Sequence, residues 1–584
     1  MSFVTVPLII SVMLAYVLNF ILGLSANIVG SWVWRPLNRL LLWDDKLLHK
    51  AGLINRYPIR LALLLFGILM PFWVLMPLPA YIAWLYFPYL IVASIFWWNY
   101  TGKGTEKVVT VEPYTPGEKA FVFETTTGPI YIDNPRRGVF ISGGAGSGKS
   151  KSVIEPIIQQ AGENSYTGIV YDYKFPTLAE EVAGSYAKSD IKTYYVNFVD
   201  LSCSHRINPV APDLITDNTY AREAATTILT NLDFKAAQNR SFWIQSAEVL
   251  LTGAIWYLRK NYPQYCTLPH AVSLLLESDP KTLINTLQQD AEVKGIIASV
   301  AAGSESQNQL AGVFASIQNY MSTLNSPSLF WVLSADEVPF DLNDPKNPSI
   351  LTVGNEPTLT ATLSPVISLI VATGLKRMNQ KNRQQSVVIL DEAPTLFIPN
   401  FQQIPATGRS NGIATVYAVQ DIAQIEGMLG QANSEMIISN LGTQFYGRTT
   451  NPRTAQRVTA LFGKYDVEYE SYGYNYSEGN NSSSENYSVQ QRDRLESQEV
   501  LRFCVGEFAG LIAEGSKTEF RRQFIQPSSK AQPIKPITTV DDEKVQENFK
   551  QIKDQIRQLL APGPKRNPKK PDADDAGQDW EHYS

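Results

Sequence analysis

The sequence predicts an α/β fold that carries an inserted all-α domain and follows an N-terminal transmembrane helical region. Three observations lead there. Uncharged runs fill more than half of the first hundred residues. Apolar strand-like segments ending in glycine-rich or acidic turns recur after residue 130. From Pro212 to about Ala335 those strand signals give way to helical periodicity.

With 584 residues, 44% of them hydrophobic and 18% charged, the chain can build two or three domains, each with a core. A formal net charge of -5 excludes a passive polyelectrolyte that holds nucleic acid by excess Lys and Arg. Cys203, Cys266 and Cys504 are far apart, and His49, His205, His270 and His582 lack ligand spacing, so neither a disulfide framework nor a zinc site is encoded.

Residues 3–24 carry no charge and are about long enough to cross a hydrocarbon core of roughly 30 Å. They lack the basic n-region of a secretory signal. A second uncharged run from Leu61 to Tyr100 is divided by Pro77-Leu78-Pro79, which predicts a helical hairpin with Trp97, Trp98 and Tyr100 at the interface. The intervening stretch holds Arg35, Arg39, Lys46, Lys50, Arg56 and Arg60 and is therefore expected on the cytoplasmic side. About three spans within residues 1–105 then leave the rest of the chain in the cytoplasm.

The segment GVFIS runs straight into Gly143-Gly144-Ala145-Gly146-Ser147-Gly148-Lys149-Ser150, followed by Lys151 and a helical pattern. This is a complete phosphate-binding P-loop, whose glycines let backbone N–H groups converge on phosphate oxygens at a helix N-terminus. ATP and Mg²⁺ are the implied ligands: Lys149 reaching the β and γ phosphates, Ser150 on the metal. Downstream, Val387 to Leu390 form a buried parallel strand that ends in Asp391 and Glu392. Ligands of α/β sheets sit at such ends, so Asp391 is expected on Mg²⁺ and Glu392 on the attacking water. The segment GIATVYAVQD places Gln420 at another strand end, to sense the γ-phosphate or serve as a polar loop residue. Arg409, in PATGRSNG, and Arg448, after ISNLGTQFYG, are candidates for reaching a neighbouring subunit's nucleotide, against local structural roles for each.

These motifs, in this order, resemble the coupling ATPases of type IV secretion, the TraG/TraD family of conjugative DNA-transfer proteins. Beyond the P-loop and the Asp-Glu pair, GIVYDYKFPTL resembles the family's Asp-x-Lys element (Asp172, Lys174). SHRINPV resembles its Arg-x-Asn-Pro signature (Arg206, Asn208, Pro209), and RDRLESQEVLRFCVGEFAGLIAEG its last strand and helix. The resemblance covers roughly residues 130–530. It implies a RecA-like fold, a homo-hexameric ring, and ATP-driven movement of single-stranded DNA with its relaxase, or of secreted protein effectors, towards a type IV secretion channel in the bacterial inner membrane. Two features depart from the family pattern: three spans rather than two, and the Tyr/Asn/Ser/Gly-rich stretch YESYGYNYSEGNNSSSENYSV, expected as a flexible surface loop.

The resulting domain map is 1–105 membrane region, 106–211 with 336–530 nucleotide-binding domain, 212–335 all-α domain, and 531–584 C-terminal helix and disordered tail. Val545, Phe549, Ile552, Ile556 and Leu559 mark one face of that helix, to pack on its own domain or bind a partner. Two other functions share parts of this pattern. A double-stranded-DNA translocase of the FtsK/HerA kind would add a basic winged-helix module, and none follows residue 530. A nucleotide-binding membrane receptor or scaffold without turnover would not need Glu392.

Overall fold

The computed structural model describes residues 117, 119–302, 307–477, 480–515 and 518–561. The spans expected at 3–24 and 61–100, the basic stretch between them and the tail after 561 lie outside the described residues.

A nine-stranded sheet organises the structure. β1 (Phe121–Phe123) and β2 (Ile130–Ile132) form a separate antiparallel pair. The large sheet contains β3 (Val139–Ser142), β4 (Thr167–Asp172), β5 (Lys192–Val196), β6 (Ser349–Gly354), β7 (Ser386–Leu390), β8 (Ile413–Val419) and β9 (Thr443–Tyr446). It is extended by β12 (Glu507–Leu511) and β13 (Glu519–Gln523) in the order β13-β12-β9-β3-β8-β7-β4-β6-β5. Seven strands, β9 through β5, run parallel, and β12 and β13 add antiparallel at one edge.

The near-continuous apolar strands are explained by two covered faces. Val139, Ile141, Val170, Val387 and Ile389 point into a core completed by Val153, Ile157 and Ile158 of the helical segment after the P-loop. Their alternating neighbours Phe140, Ile169, Tyr171, Val388 and Leu390 point into the other core. That second core contains the helix Thr360–Met378, the one stretch among the described residues long and apolar enough to cross a membrane. It is the crossover between β6 and β7, apolar because it is packed.

Helices from Asn218–Leu232 to Pro327–Leu333 form the insert between β5 and β6. The sequence suggests a separate lobe. Instead, Ile228, Leu250, Leu274 and Phe330 of the insert share one continuous apolar cluster with Val366 and Ile370 of the crossover helix. Apolar periodicity marks a buried face without saying which partner buries it.

The Tyr/Asn/Ser/Gly-rich stretch is also different from expectation. It forms a two-stranded antiparallel ribbon, β10 (Lys464–Ser477) with β11 (Asn480–Asp493), paired at 14 positions and joined to no other strand among the described residues. Low apolar content rules out a core, while the backbone groups on the inner edges of the two strands pair with one another and those on the outer edges face water.

After β13 the chain runs as an extended strap. Buried Glu181 accepts hydrogen bonds from Gln159 Nε2 (2.7 Å), Ser529 Oγ (2.6 Å) and the Lys530 N–H (3.0 Å). The strap then delivers the helix Asp542–Leu560 onto the insert. Ile552 and Ile556 are buried there, and Phe549 lies 4.8 Å from Phe330 between ring centres. His270 of the insert bridges Thr267 Oγ1 (2.7 Å) and Gln555 Oε1 (2.9 Å).

Burial holds the His270 imidazole below its ordinary value, so the folded state keeps it neutral. A depressed histidine supports the fold fully above the ordinary value of about 6.5 and loses that contribution as pH falls through the folded value. Acidification from about pH 7.5 to about 5.5 is therefore expected to lower the hydrogen-exchange protection of 542–560, measured against the unstructured-chain rate at each pH, and His270→Gln to flatten that dependence. Ile556→Ala, removing a fully buried side chain, should weaken docking of the helix by about 2–5 kcal/mol at either pH, read by the same measurement.

Candidate nucleotide site

The P-loop leaves β3 at the carboxyl edge of the sheet and threads between the ends of β8 and β9. The Gly143 N–H donates to Val419 O (3.2 Å), and the Gly144 N–H donates to Arg448 O (2.8 Å). Ala145 and Gly146 are open to solvent. Gly148 has φ +93°, and a Cβ there would lie 2.8 Å from the Gly506 amide nitrogen, so both conformation and space require glycine. Lys149 opens a helical segment that starts as a π-type turn, Ser150–Ile154, and continues as Glu155–Glu163.

Asp391 and Glu392 follow β7, two strands from β3, which separates the strand axes by roughly 10 Å. Long side chains close that gap. Lys149 Nζ lies 2.9 Å from Glu392 Oε1, and both side chains are over nine-tenths buried.

Glu392 sits in the left-handed region (φ 50°, ψ 49°), a conformation that costs a non-glycine residue about 1–3 kcal/mol. A hydrogen-bond chain holds it. The Glu392 carbonyl accepts from Thr395 N–H (3.0 Å) and Thr395 Oγ1 (2.7 Å). Thr395 Oγ1 lies 2.7 Å from the Tyr171 hydroxyl, which accepts from Asn355 Nδ2 (2.8 Å).

Asp391 is mostly buried, and burial pushes its carboxyl up to about 6, against the field of Lys149. Asp172, at the end of β4 beside it, is pushed up to about 7 by burial. It accepts backbone N–H groups from Ala179, Leu178 and Lys174, and so fixes the turn into the helix Thr177–Ser185.

The remaining residues divide sharply. Gln420 lies at the end of β8, the strand between β3 and β7, one residue beyond the Val419 that pairs with Ser142. Arg448 flanks the P-loop of its own chain: a Cβ built on Gly146 would stand 4.0 Å from Arg448 Nη2. Lys151 is drawn to Glu155, one turn along the helix, at 2.8 Å. Arg409 lies at the opposite edge of the sheet. Its guanidinium is 3.8 Å from Glu514, which also pairs with Arg137 just before β3.

Sequence reasoning missed Asp421. Its carboxylate accepts from Thr449 Oγ1 (3.0 Å), Asn451 Nδ2 (2.7 Å) and Thr454 Oγ1 (3.1 Å), tying the Arg448 loop to the end of β8. The available signal was its spacing from Gln424, with which it forms a capping box. Arg206 and Asn208 stand at the joint of the insert instead of at the P-loop. Arg206 lies over the Trp331 ring at 4.3 Å and donates to Trp331 O (2.8 Å), and Asn208 Nδ2 donates to Cys266 O (2.9 Å).

This architecture has known counterparts. The bacterial conjugative coupling protein TrwBdeltaN70, in its unbound monoclinic form, superposes with a TM-score of 0.56 at 14% identity over 72% of this chain and 92% of its own. TrwB in complex with the ATP analogue ADPNP gives 0.57 at 14% identity, covering 72% and 93%. TrwB with ADP and Mg²⁺ gives 0.53 at 15% identity, covering 71% and 92%. The coupling protein TraD of Escherichia coli (strain K12) is 23% identical over 373 residues, 60% of this chain and 47% of TraD; the chain thus spans about half the length of that curated relative. The α/β fold with a mostly parallel sheet and a helical insert is shared with TrwB. The sequence model of the type IV secretion-system coupling protein DNA-binding domain matches residues 123–502, well over half of the chain, and the chain belongs to that family.

Proposed function

We propose that this chain is an ATP-hydrolysing coupling protein of a conjugative or related type IV secretion system. It is anchored in a bacterial inner membrane through residues 1–105 and works as a homo-hexamer. It moves single-stranded DNA with its relaxase, or protein effectors, towards the secretion channel. The nucleotide-binding domain, 106–211 with 336–530, is the motor. The insert, 212–335, meets cargo, and the described part of 531–584, as far as residue 561, straps one to the other. The observation that carries this reading is the buried contact between Lys149 and Glu392 across two strands.

The residues suit the nucleotide. A turn that admits only glycine at 148, an exposed tip at Ala145 and Gly146, and a buried ammonium form a cradle for a polyphosphate. Gly143, Gly144, Ser147, Gly148 and Lys149 shape it. Ser150 Oγ and the Asp391 carboxylate are hard oxygen donors, suited to Mg²⁺ when phosphate oxygens and water complete its sphere. Held by these two residues, Mg²⁺ would supply neutralisation of phosphate charge.

A triphosphate in the cradle competes with Glu392 for the Lys149 ammonium. Arrival of the γ-phosphate transfers the ammonium to phosphate and frees the Glu392 carboxylate to orient and deprotonate the attacking water. Gln420, between the two loops, hydrogen-bonds that water or the γ-phosphate. Arg448, beside its own P-loop, stabilises charge on the phosphates in cis.

Lys149→Ala is expected to lower phosphate release by roughly 10²-fold or more and weaken ATP binding, whereas Glu392→Gln should bind ATP and fail to hydrolyse it. Phosphate-release and nucleotide-binding assays on the purified variants read both. Unchanged hydrolysis in either would remove the site. Mixing Arg448→Ala with Glu392→Gln subunits distinguishes cis from trans action. A cis arginine leaves the mixture inactive; recovery of hydrolysis would place it on a neighbour's nucleotide.

A further inference from the structure

The insert exposes one consecutive aromatic pair to solvent, Phe242 (51%) and Trp243 (44%), with rings 5.3 Å apart and edge to face. Their seat is constrained. The preceding turn holds Arg240 in the left-handed region (φ 46°), and the Trp243 indole lies against Gly312, where a Cβ would approach to 3.0 Å. An exposed indole so fixed loses little freedom when a planar ring stacks on it.

The exposed charges flanking this pair in the chain are cationic, with the carboxylates Asp233 and Glu248 half-buried at either end of the segment. From Phe234 to Ala247 the charged side chains are Lys235 and Arg240, both exposed, and the helix Gln307–Thr323 beneath carries none. Exposed Gln238, Asn239 and Gln245 add donors. The nearby carboxylate of Asp233 is engaged, accepting from the Ala236 N–H (2.9 Å) and the Tyr320 hydroxyl (3.2 Å). Aromatic faces interleaved with cations and amides suit single-stranded nucleic acid, whose bases stack and whose phosphates pair.

This edge is joined to the hydrolysis site by a short path. Asn231, at the end of the helix Asn218–Leu232, clamps the Phe397 peptide: Nδ2 donates to Phe397 O (2.8 Å), and Oδ1 accepts from the Phe397 N–H (2.9 Å). Phe234 packs on the Phe397 ring at 5.5 Å. Phe397 follows Thr395, whose N–H and hydroxyl both hold the Glu392 carbonyl.

Resting on the motor reading above, we propose that Lys235–Trp243 is a grip for single-stranded nucleic acid and that Asn231 gears it to the loop after Glu392. A change in the Glu392 turn when Lys149 exchanges partners is passed through Thr395 and Phe397 to Asn231, and from there to the aromatic pair. Asn231 is a positioning residue and touches no nucleotide.

The test uses the full chain in detergent, a fluorescently labelled oligothymidine and a phosphate-release assay. The double variant Phe242→Ala/Trp243→Ala should bind the oligonucleotide roughly tenfold or more weakly, with unchanged phosphate release in its absence; Trp243→Phe should retain most of the affinity. Asn231→Ala should keep affinity within about twofold while losing oligonucleotide stimulation of phosphate release, and Phe234→Ala should repeat that uncoupling. Equal affinity in wild type and double variant would overturn the grip while leaving the motor reading intact. Weaker binding accompanied by loss of assembly in sedimentation would also overturn it, marking the aromatic pair as a contact between copies. Full stimulation in both Asn231→Ala and Phe234→Ala would overturn the gearing. A wild type that hydrolyses no ATP, with or without the oligonucleotide, would sink the motor reading itself.

Discussion

The buried ion pair between Lys149 and Glu392 is the constraint on which the rest of the structure depends. Two charges removed from water are tolerable only together, and stripping one partner from such a pair costs about 3–5 kcal/mol because the other remains buried and unpaired. Each partner is supplied by a separate strand ending, and each by a backbone that is itself constrained: a glycine-only turn before Lys149, a left-handed residue at Glu392. The Thr395–Tyr171–Asn355 chain stores the second constraint. Lys149 therefore carries its charge only while an anion faces it, and in this structure that anion is Glu392.

The sheet order sets the P-loop and the acidic pair on either side of a single strand. β8 lies between β3 and β7, so anything held at its end stands between the P-loop and the acidic pair. Asp421 binds three side chains of the loop that carries Arg448, while the Arg448 carbonyl accepts from Gly144. Strand endings and loops thus form one hydrogen-bonded rim. Arg409 is outside it, at the far edge with Glu514 and Arg137, where a role at its own P-loop is geometrically closed to it.

Much of this was legible in the sequence where local chemistry is self-declaring. A glycine-rich turn needs glycines, and buried parallel strands need apolar runs that end in polar residues; both were read at residue precision. The insert was likewise visible from its helical periodicity. What stayed hidden depends on which surfaces meet. The sequence marks Arg448 as polar and strand-terminal, but only the pairing of β3 with β9 sets it beside Gly146. The insert's apolar stripes implied burial, without revealing that the same cluster extends into the crossover helix. The β10–β11 ribbon escaped notice because its Tyr/Asn/Ser/Gly-rich composition reads as low complexity, although Tyr465, Val467 and Tyr469, and then Tyr472, Tyr474 and Tyr476, alternate as strand residues do.

Besides the apolar cluster it shares with the crossover helix, the insert is fastened to the sheet domain at several further joints. Arg206 stacks on Trp331 where the chain enters and leaves the insert, Asn231 clamps the loop after the acidic pair, and the C-terminal strap closes the third side. The strap is anchored at Glu181, whose helix begins on the amides that hold Asp172 beside Asp391. It ends in a helix buried against Phe330 of the insert. A hinged appendage would need one attachment. Here the joints are several, and two of them trace within a few residues to Glu392 and Asp172, so the insert is tied to the carboxyl ends of the strands.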